Sequence, residues 1–363
     1  MKVAIVYDRV NKWGGAERVL LQLNKLFPEA PLYTSVYNPK TAKWATAFPK
    51  VVTSFLNNFP FAKTRHDLYA PLMPFAFESF DFSEFDFVIS VTSEAAKGII
   101  TKPATFHLCY CLTPTRYLWS GSDEYLSGIR KILSTPLVSY LKWWDKTSAQ
   151  RPDTIVAISN TVSERIKRYY EREATVIYPP VNTGINTTPL HRSVVSYQKG
   201  YYLIVSRLIP YKKVDFVIKI FNRLKKTLIV VGTGSEEQKL RSLANSNITF
   251  TGQIPDDQLW SYYKNAKALI YPQNEDFGIT AVEAQAVGTP VIAFKKGGAT
   301  ETVNEKTGVF FESQTESSLI DAIKRFERKT FKKEDYINNS RKFSEEKFQK
   351  NFATLISNLT KKK

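Results

Sequence analysis

The stretch Ser206-Arg-Leu-Ile-Pro-Tyr-Lys-Lys213 sets Arg207 and Lys212 on a loop directly behind an apolar run, Tyr201–Val205. If that run is a strand of a parallel sheet, the two cations sit at its carboxyl end, where such sheets bind ligands. Two fixed cations there would neutralise a departing diphosphate, and stabilising developing charge is a main catalytic effect. Taken alone, the pair equally fits a plain basic loop. Farther on, Asn274-Glu-Asp-Phe-Gly-Ile-Thr-Ala-Val-Glu283 places Glu275 ahead of a helix and Glu283 on it. Carboxylates accept hydrogen bonds from hydroxyls such as those of a sugar or a ribose. In isolation they fit two solvated acids beside a helix start.

Two glycine turns accompany these charges. Trp13-Gly-Gly-Ala-Glu-Arg18 follows the first apolar run and opens a helical pattern, so its backbone N–H groups can approach a phosphate. Val230-Val-Gly-Thr-Gly-Ser235 repeats the strand, glycine turn and helix order, with Gly232 at the turn. Neither stretch completes G-x-G-x-x-G, which argues against a nicotinamide dehydrogenase. Two cysteines, Cys109 and Cys111, and three histidines show no metal-ligand spacing, so no metal is expected.

The elements that must position these residues are legible as alternation. Val3–Tyr7, Phe87–Val91, Phe106–Cys111 and Thr154–Ile158 read as buried strands, as do Tyr201–Val205, Thr227–Val231, Ile248–Phe250, Ala268–Tyr271 and Val291–Phe294. Helical periodicity fills Ala16–Phe27, Thr161–Tyr170, Glu236–Ala244 and Ile279–Val287. Near-continuous apolar strands alternating with helices predict an α/β fold with parallel sheets covered on both faces. Tyr178-Pro-Pro-Val-Asn-Thr-Gly184 and the aperiodic stretch to Gly200 read as a linker, after which the alternation restarts. From Lys332 onward the pattern is helical again.

The 363 residues carry 51 Lys and Arg against 34 Asp and Glu, a net charge of +17, and residues 324–363 alone hold +8. Nucleic acid, an anionic membrane surface, a phosphorylated substrate or a solvated basic face would each account for it. No window reaches 18 uninterrupted apolar residues, and the opening Met1–Asp8 reads as a strand rather than a secretory leader. With cysteines two apart on one strand, a reduced, cytoplasmic setting is the expectation.

The order of the motifs resembles glycosyltransferase family 4, the retaining group 1 glycosyl transferases of GT-B fold. Gly14-Gly-Ala-Glu-Arg18, Arg207-x4-Lys212, Val231-Gly-Thr-Gly234, Phe250-Thr-Gly252, Glu275-x7-Glu283, Gly288-Thr-Pro-Val-Ile-Ala293 and Gly297-Gly-Ala-Thr-Glu301 carry it. Thr113-Pro-Thr-Arg-Tyr117, Ile158-Ser-Asn160 and Tyr178-Pro-Pro-Val181 look most like the bacterial mannosyltransferases that build polysaccharides and O-antigens. The resemblance implies two Rossmann-like domains facing across a cleft. Residues 1–182 would form the acceptor side, 183–344 the donor side, and 345–363 a helix crossing back to the first domain. By the same resemblance Arg207 and Lys212 hold the donor diphosphate, with Glu275 on the transferred sugar and Glu283 on the ribose. Gly15, Gly232, Phe277, Gly278 and Ile279 complete the donor contacts, and His107, Arg116 and Tyr117 lie on the acceptor side. The subgroup's Cys-His-Thr-Pro reads Cys111-Leu-Thr-Pro114 here, so its acceptor-side histidine is Leu112. His107, five residues back, falls on the opposite strand face from Leu112.

The expected activity is retaining transfer of a hexose, with mannose from GDP-mannose as the donor, onto a hydroxyl of a glycan or lipid-linked glycan. No tightly bound metal or other cofactor is expected. The runner-up donor is a UDP-hexose, since no motif reads the base. From other classes, a sugar-nucleotide epimerase would need further carboxylates, and a basic nucleic-acid-binding protein would need an aromatic-interleaved basic module. Neither is found. An anionic membrane surface is a further expected partner, reached from the cytoplasmic side, and nucleic acid is not.

Overall fold

The computed structural model describes residues 1–120, 135–184 and 200–361. Contacts divide the chain into two compact units, Met1–Pro179 with Gln349–Lys363, and Pro180–Phe348.

Unit 1 is built on seven parallel strands: β1 (Val3–Tyr7), β2 (Leu32–Thr34), β3 (Val51–Thr53), β4 (Phe87–Thr92), β5 (Phe106–Cys111), β6 (Thr154–Ala157) and β7 (Thr175–Val176). Their order is β3-β2-β1-β4-β5-β6-β7. Every residue of β1 and β4 is buried, as strands covered on both faces require. The helix Glu345–Thr360 belongs to this unit from Gln349 onward. Its Phe352 packs with Tyr110 of β5 at 6.2 Å between ring centres, and Gln349 Nε2 donates to Gln22 Oε1 at 2.6 Å.

Unit 2 carries six parallel strands: β8 (Tyr201–Val205), β9 (Leu228–Val231), β10 (Ile248–Gly252), β11 (Ala266–Tyr271), β12 (Val291–Phe294) and β13 (Gly308–Phe311), in the order β10-β9-β8-β11-β12-β13. Alternate residues of one strand feed opposite cores. Tyr202 and Ile204 pack with Phe221, Val230 and Ile270, while Tyr201 and Leu203 pack with Tyr263, Val231 and Leu269. This is why the apolar runs are continuous rather than alternating.

Strands β2, β3 and β7 escape the periodicity reading because they are only two or three residues long, and β13 escapes it as well. The helical stretch from Lys332 is two helices, Lys333–Ser340 and Glu345–Thr360. The second starts after Ser344, whose Oγ accepts from the backbone N–H of Lys347 at 3.2 Å.

In both sheets the strand order reverses at one point, between β1 and β4 in unit 1 and between β8 and β11 in unit 2. Such switch points open a crevice outside the carboxyl ends of the strands, which is where open α/β sheets take ligands.

Candidate active site

The unit 2 switch point brings three of the expected residues together. Lys212 lies on the loop after β8 and Glu275 on the loop after β11, 63 residues apart, and the ammonium and carboxylate form an ion pair. Their side chains keep 12% and 16% exposure, so the pair is shielded yet reachable. Arg207, on the same loop as Lys212, donates from Nη2 to Tyr211 Oη at 3.2 Å.

Glycines hold both loops. Gly232 has φ +127°, and a Cβ there would fall 2.0 Å from the carbonyl oxygen of Ser206. At Gly234 a Cβ would meet the Leu208 carbonyl oxygen at 2.3 Å. Two backbone bonds seal that approach: Ser206 N–H donates to the Val231 carbonyl (3.1 Å) and Leu208 N–H to that of Thr233 (2.9 Å). The glycine turn after β9 thus grips the backbone on either side of Arg207. The Glu275 loop is gripped likewise. Gly297 (φ +64°) bridges to Glu275, Gly298 N–H donates to the Glu275 carbonyl at 2.8 Å, and a Cβ on Gly298 would lie 2.3 Å from Phe277 Cα. Only residues without a Cβ permit backbones this close.

The other expected donor contacts are placed as follows. Gly278, at φ +100°, caps the helix Ile279–Ala286. Phe277 is buried and turns its ring to Phe343 at 5.3 Å, so its side chain is a core residue and only its backbone faces the loop. Glu283 is buried on that helix, where its Oε2 accepts from Tyr263 Oη at 2.8 Å. In unit 1, Gly15 opens the helix Gly15–Leu26, whose Glu17 turns inward to accept from Tyr7 Oη at 2.9 Å.

On the acceptor side one expectation is corrected. His107 is fully buried within β5, its Nε2 is 2.8 Å from Ser90 Oγ, and burial pushes its pKa down to about 3. A neutral core histidine cannot touch an acceptor. Tyr117 lines a small recess with Met73, Glu94, Thr115, Leu141 and Trp144. Arg116, half-buried, lies on the same turn. A buried carboxylate supports that turn: Asp145 takes hydrogen bonds from Thr115 Oγ1 (2.7 Å), Trp119 Nε1 (2.7 Å), Tyr170 Oη (2.8 Å) and the buried Lys97 Nζ (2.5 Å). Burial alone would lower the Lys97 pKa, but Asp145 more than offsets it and the pKa is raised.

Sequence reasoning missed the unit 1 switch point. Arg9 after β1 forms an ion pair with Glu94 after β4, and His66 stands beside them, 3.3 Å from Asn11 Nδ2. Burial and the nearby Arg9 and Lys12 push the His66 pKa down to about 4. The only available signal was the position of Asp8-Arg9 just beyond the first strand. Among the described residues no three His, Cys, Asp or Glu side chains gather into a metal-holding set.

Comparison with known proteins agrees with this architecture. A GDP-mannose-dependent phosphatidylinositol monomannoside mannosyltransferase of Mycobacterium tuberculosis is 28% identical over 200 residues, 47% of this chain and 51% of that protein. An O-antigen chain mannosyltransferase of Salmonella typhimurium is 27% identical over 165 residues, 42% of this chain and 45% of that protein. The chain therefore spans about half the length of the curated relatives it matches. Anabaena HepE, solved in complex with UDP, superposes with a TM-score of 0.70 at 20% identity over 99% of this chain and 100% of that one. Residues 190–343 match the family described as "Glycosyl transferases group 1". The stretch that carries Arg207, Lys212 and Glu275 thus belongs to the group 1 glycosyl transferases, on a chain of GT-B fold.

Proposed function

We propose that this chain is a retaining hexosyltransferase that moves mannose from GDP-mannose onto a hydroxyl of a glycan or lipid-linked glycan. The observation that carries the reading is the Lys212–Glu275 pair over the β8/β11 switch point, with Arg207 on the adjoining loop. In this structure the two charges satisfy each other. A bound donor exchanges that pair for two new ones, diphosphate on Lys212 and Arg207 and a sugar hydroxyl on Glu275. The bond from the sugar's anomeric carbon to the diphosphate oxygen breaks while one to the acceptor oxygen forms on the same face. The acceptor proton passes to the departing diphosphate oxygen. The protein's share is positioning and neutralising the charge on the leaving group.

The mannosyltransferase names of the two relatives support mannose, and that of the Mycobacterium tuberculosis protein supports GDP-mannose. A UDP-hexose is the second reading, supported by the UDP held by the Anabaena structure. Thermal shifts against GDP-mannose, UDP-glucose and UDP-N-acetylglucosamine test the choice, because a ligand that binds only the folded chain raises its melting temperature. Stabilisation by GDP-mannose alone, followed by an α-linked product from an α-linked donor, is expected. A larger shift with a UDP-sugar selects the second reading, and an inverted product overturns retention.

A lipid-linked acceptor implies work at a membrane surface. No helix among the described residues is long and apolar enough to cross one. Unit 1 does expose Phe55, Leu68, Phe75, Trp143 and Phe61, the last at 74%. With the net charge of +17, these support reversible docking on anionic lipid, at about 1 kcal/mol per basic residue near the surface. Co-sedimentation with anionic vesicles that weakens as salt rises is expected. Equal recovery in the supernatant with anionic and neutral vesicles refutes it.

A further inference from the structure

The ion pair between Lys212 and Glu275 stands on backbone with little freedom to part it. Lys212 ends a short turn, Pro210–Lys212, in which its N–H donates to the Ile209 carbonyl at 3.0 Å. Lys213 N–H donates to the Pro210 carbonyl at 3.1 Å and takes φ +55°, so the chain is fixed on the far side too. Across the site, Glu275 bridges to Gly297 and its carbonyl accepts from Gly298 N–H at 2.8 Å. Arg207, the other cation of the first loop, donates to Tyr211 Oη, and Lys212 Nζ stands 5.1 Å from the centre of the Tyr211 ring. At 16% exposure, a Glu275 carboxylate deprived of Lys212 would regain only part of its hydration. Taking one partner from a shielded pair is costly for that reason.

The two ligands that the site meets in one turnover differ at this point. A nucleotide sugar brings a diphosphate for Lys212 and sugar hydroxyls that can donate to Glu275. The nucleoside diphosphate left after transfer brings the diphosphate alone. It draws Lys212 from Glu275 and offers the carboxylate no donor in exchange. Once its terminal phosphate ionises, it also adds negative charge beside a carboxylate, and like charges at short range repel.

We propose that Glu275 is an internal competitor for Lys212 that selects against the spent nucleoside diphosphate and so hastens its release. This role rests on the diphosphate and sugar contacts proposed above. While the sugar is bound, its hydroxyl occupies the carboxylate and the pair stays open. When the sugar leaves on the acceptor, Glu275 loses that donor and reclaims Lys212. The same side chain therefore acts first on the sugar and then against the product.

The test is titration calorimetry of the full chain with GDP and GDP-mannose, with UDP and UDP-glucose in parallel. Glu275→Gln keeps the shape of the side chain and an acceptor for a sugar hydroxyl, but it frees Lys212. It should bind the nucleoside diphosphate about tenfold more tightly than wild type, which is about 1.4 kcal/mol, and the nucleotide sugar no more tightly. Glu275→Ala also removes the charge and should tighten the diphosphate likewise, so the outcome does not hang on one variant. A residue with a merely structural role would move both ligands together. Variants that bind the diphosphate no more tightly than wild type, or that tighten both ligands equally, overturn the competitor. Lys212→Gln should weaken the diphosphate. If it binds as wild type does, Lys212 is not the diphosphate ligand and the contact beneath the proposal fails instead. A wild type that binds none of the four ligands overturns the transferase reading itself.

Discussion

The two sheets place a cation–carboxylate pair over the same topological position, but they hold the loops that carry it by different physics. In unit 1 a buried carboxylate does the holding. Asp8, at the end of β1, accepts from the backbone N–H groups of Ser93 (2.6 Å), Glu94 (3.0 Å), Ala95 (2.9 Å) and Ala96 (2.8 Å), and from Thr92 Oγ1 (2.9 Å). In unit 2 backbone meets backbone, and glycines at Gly232, Gly234, Gly297 and Gly298 permit it. A carboxylate cap is directional and depends on charge, whereas a glycine contact is steric and indifferent to pH. Fixed placement of a charged loop therefore has two independent solutions within one chain, and they should fail in different ways.

Removing the unit 1 device should have the largest effect. Asp8→Ala strands the buried N–H groups of Ala95 and Ala96 and leaves that of Ser93 to solvent, while that of Glu94 keeps Thr92 Oγ1; at roughly 1–3 kcal/mol for each that water cannot reach, a loss of about 4 kcal/mol is expected. Hydrogen exchange read separately for the two units should show unit 1 loosened and unit 2 unchanged. Uniform loosening would mean the two devices are not independent.

The matching steric lesion is Gly232→Ala. Positive φ and the Ser206 carbonyl both oppose a Cβ, and strain of about 3 kcal/mol is expected. The loop bearing Arg207 should yield before the sheet does, so transfer should fall further than the melting temperature suggests. A variant with full transfer and normal melting would show that the glycine grip is dispensable.

Acid separates the two units without mutation. Folded His107 and His66 titrate near 3 and 4, below the ordinary value of 6.5. The unfolded chain therefore takes up their protons first as pH falls. Their stabilisation is complete above pH 6.5 and is lost progressively toward pH 3–4. Between pH 6.5 and pH 5 His107 alone accounts for about 2 kcal/mol. Unit 1 should soften over that window while unit 2, which has no histidine among its described residues, holds. Equal softening of both units would remove the histidines as its cause.

The smallest expected effect concerns chemistry rather than folding. Lys212→Ala and Glu275→Ala should each slow transfer at least tenfold, about 1.4 kcal/mol of barrier. Arg207→Ala should resemble Lys212→Ala, and their combined loss should fall short of the sum because both act on one diphosphate. Wild-type turnover in either single variant of the ion pair would remove that residue from the site.

Much of this was legible in one dimension. Burial on both faces makes a strand read as an unbroken apolar run, so β1, β4, β5, β8 and β9 can be located to within a residue or so. Helices such as Asn160–Tyr170 and Ile279–Ala286 show a 3.6-residue period for the same local reason. Arg207 and Lys212 could be singled out because a residue just past a buried strand must emerge at the sheet's edge, and Glu275 because it stands just ahead of a helix. What the chain's order could not carry is which loops meet. The ion pair between Lys212 and Glu275 exists because β11 inserts beside β8, and that strand order follows from how helices pack on both faces. The contact of Gly298 with Phe277 and of Gly232 with Ser206 are likewise products of that order. Full burial of His107 and partial burial of His66 were decided the same way. A histidine in sequence is only a residue type, and its chemistry comes from the neighbours that tertiary packing supplies.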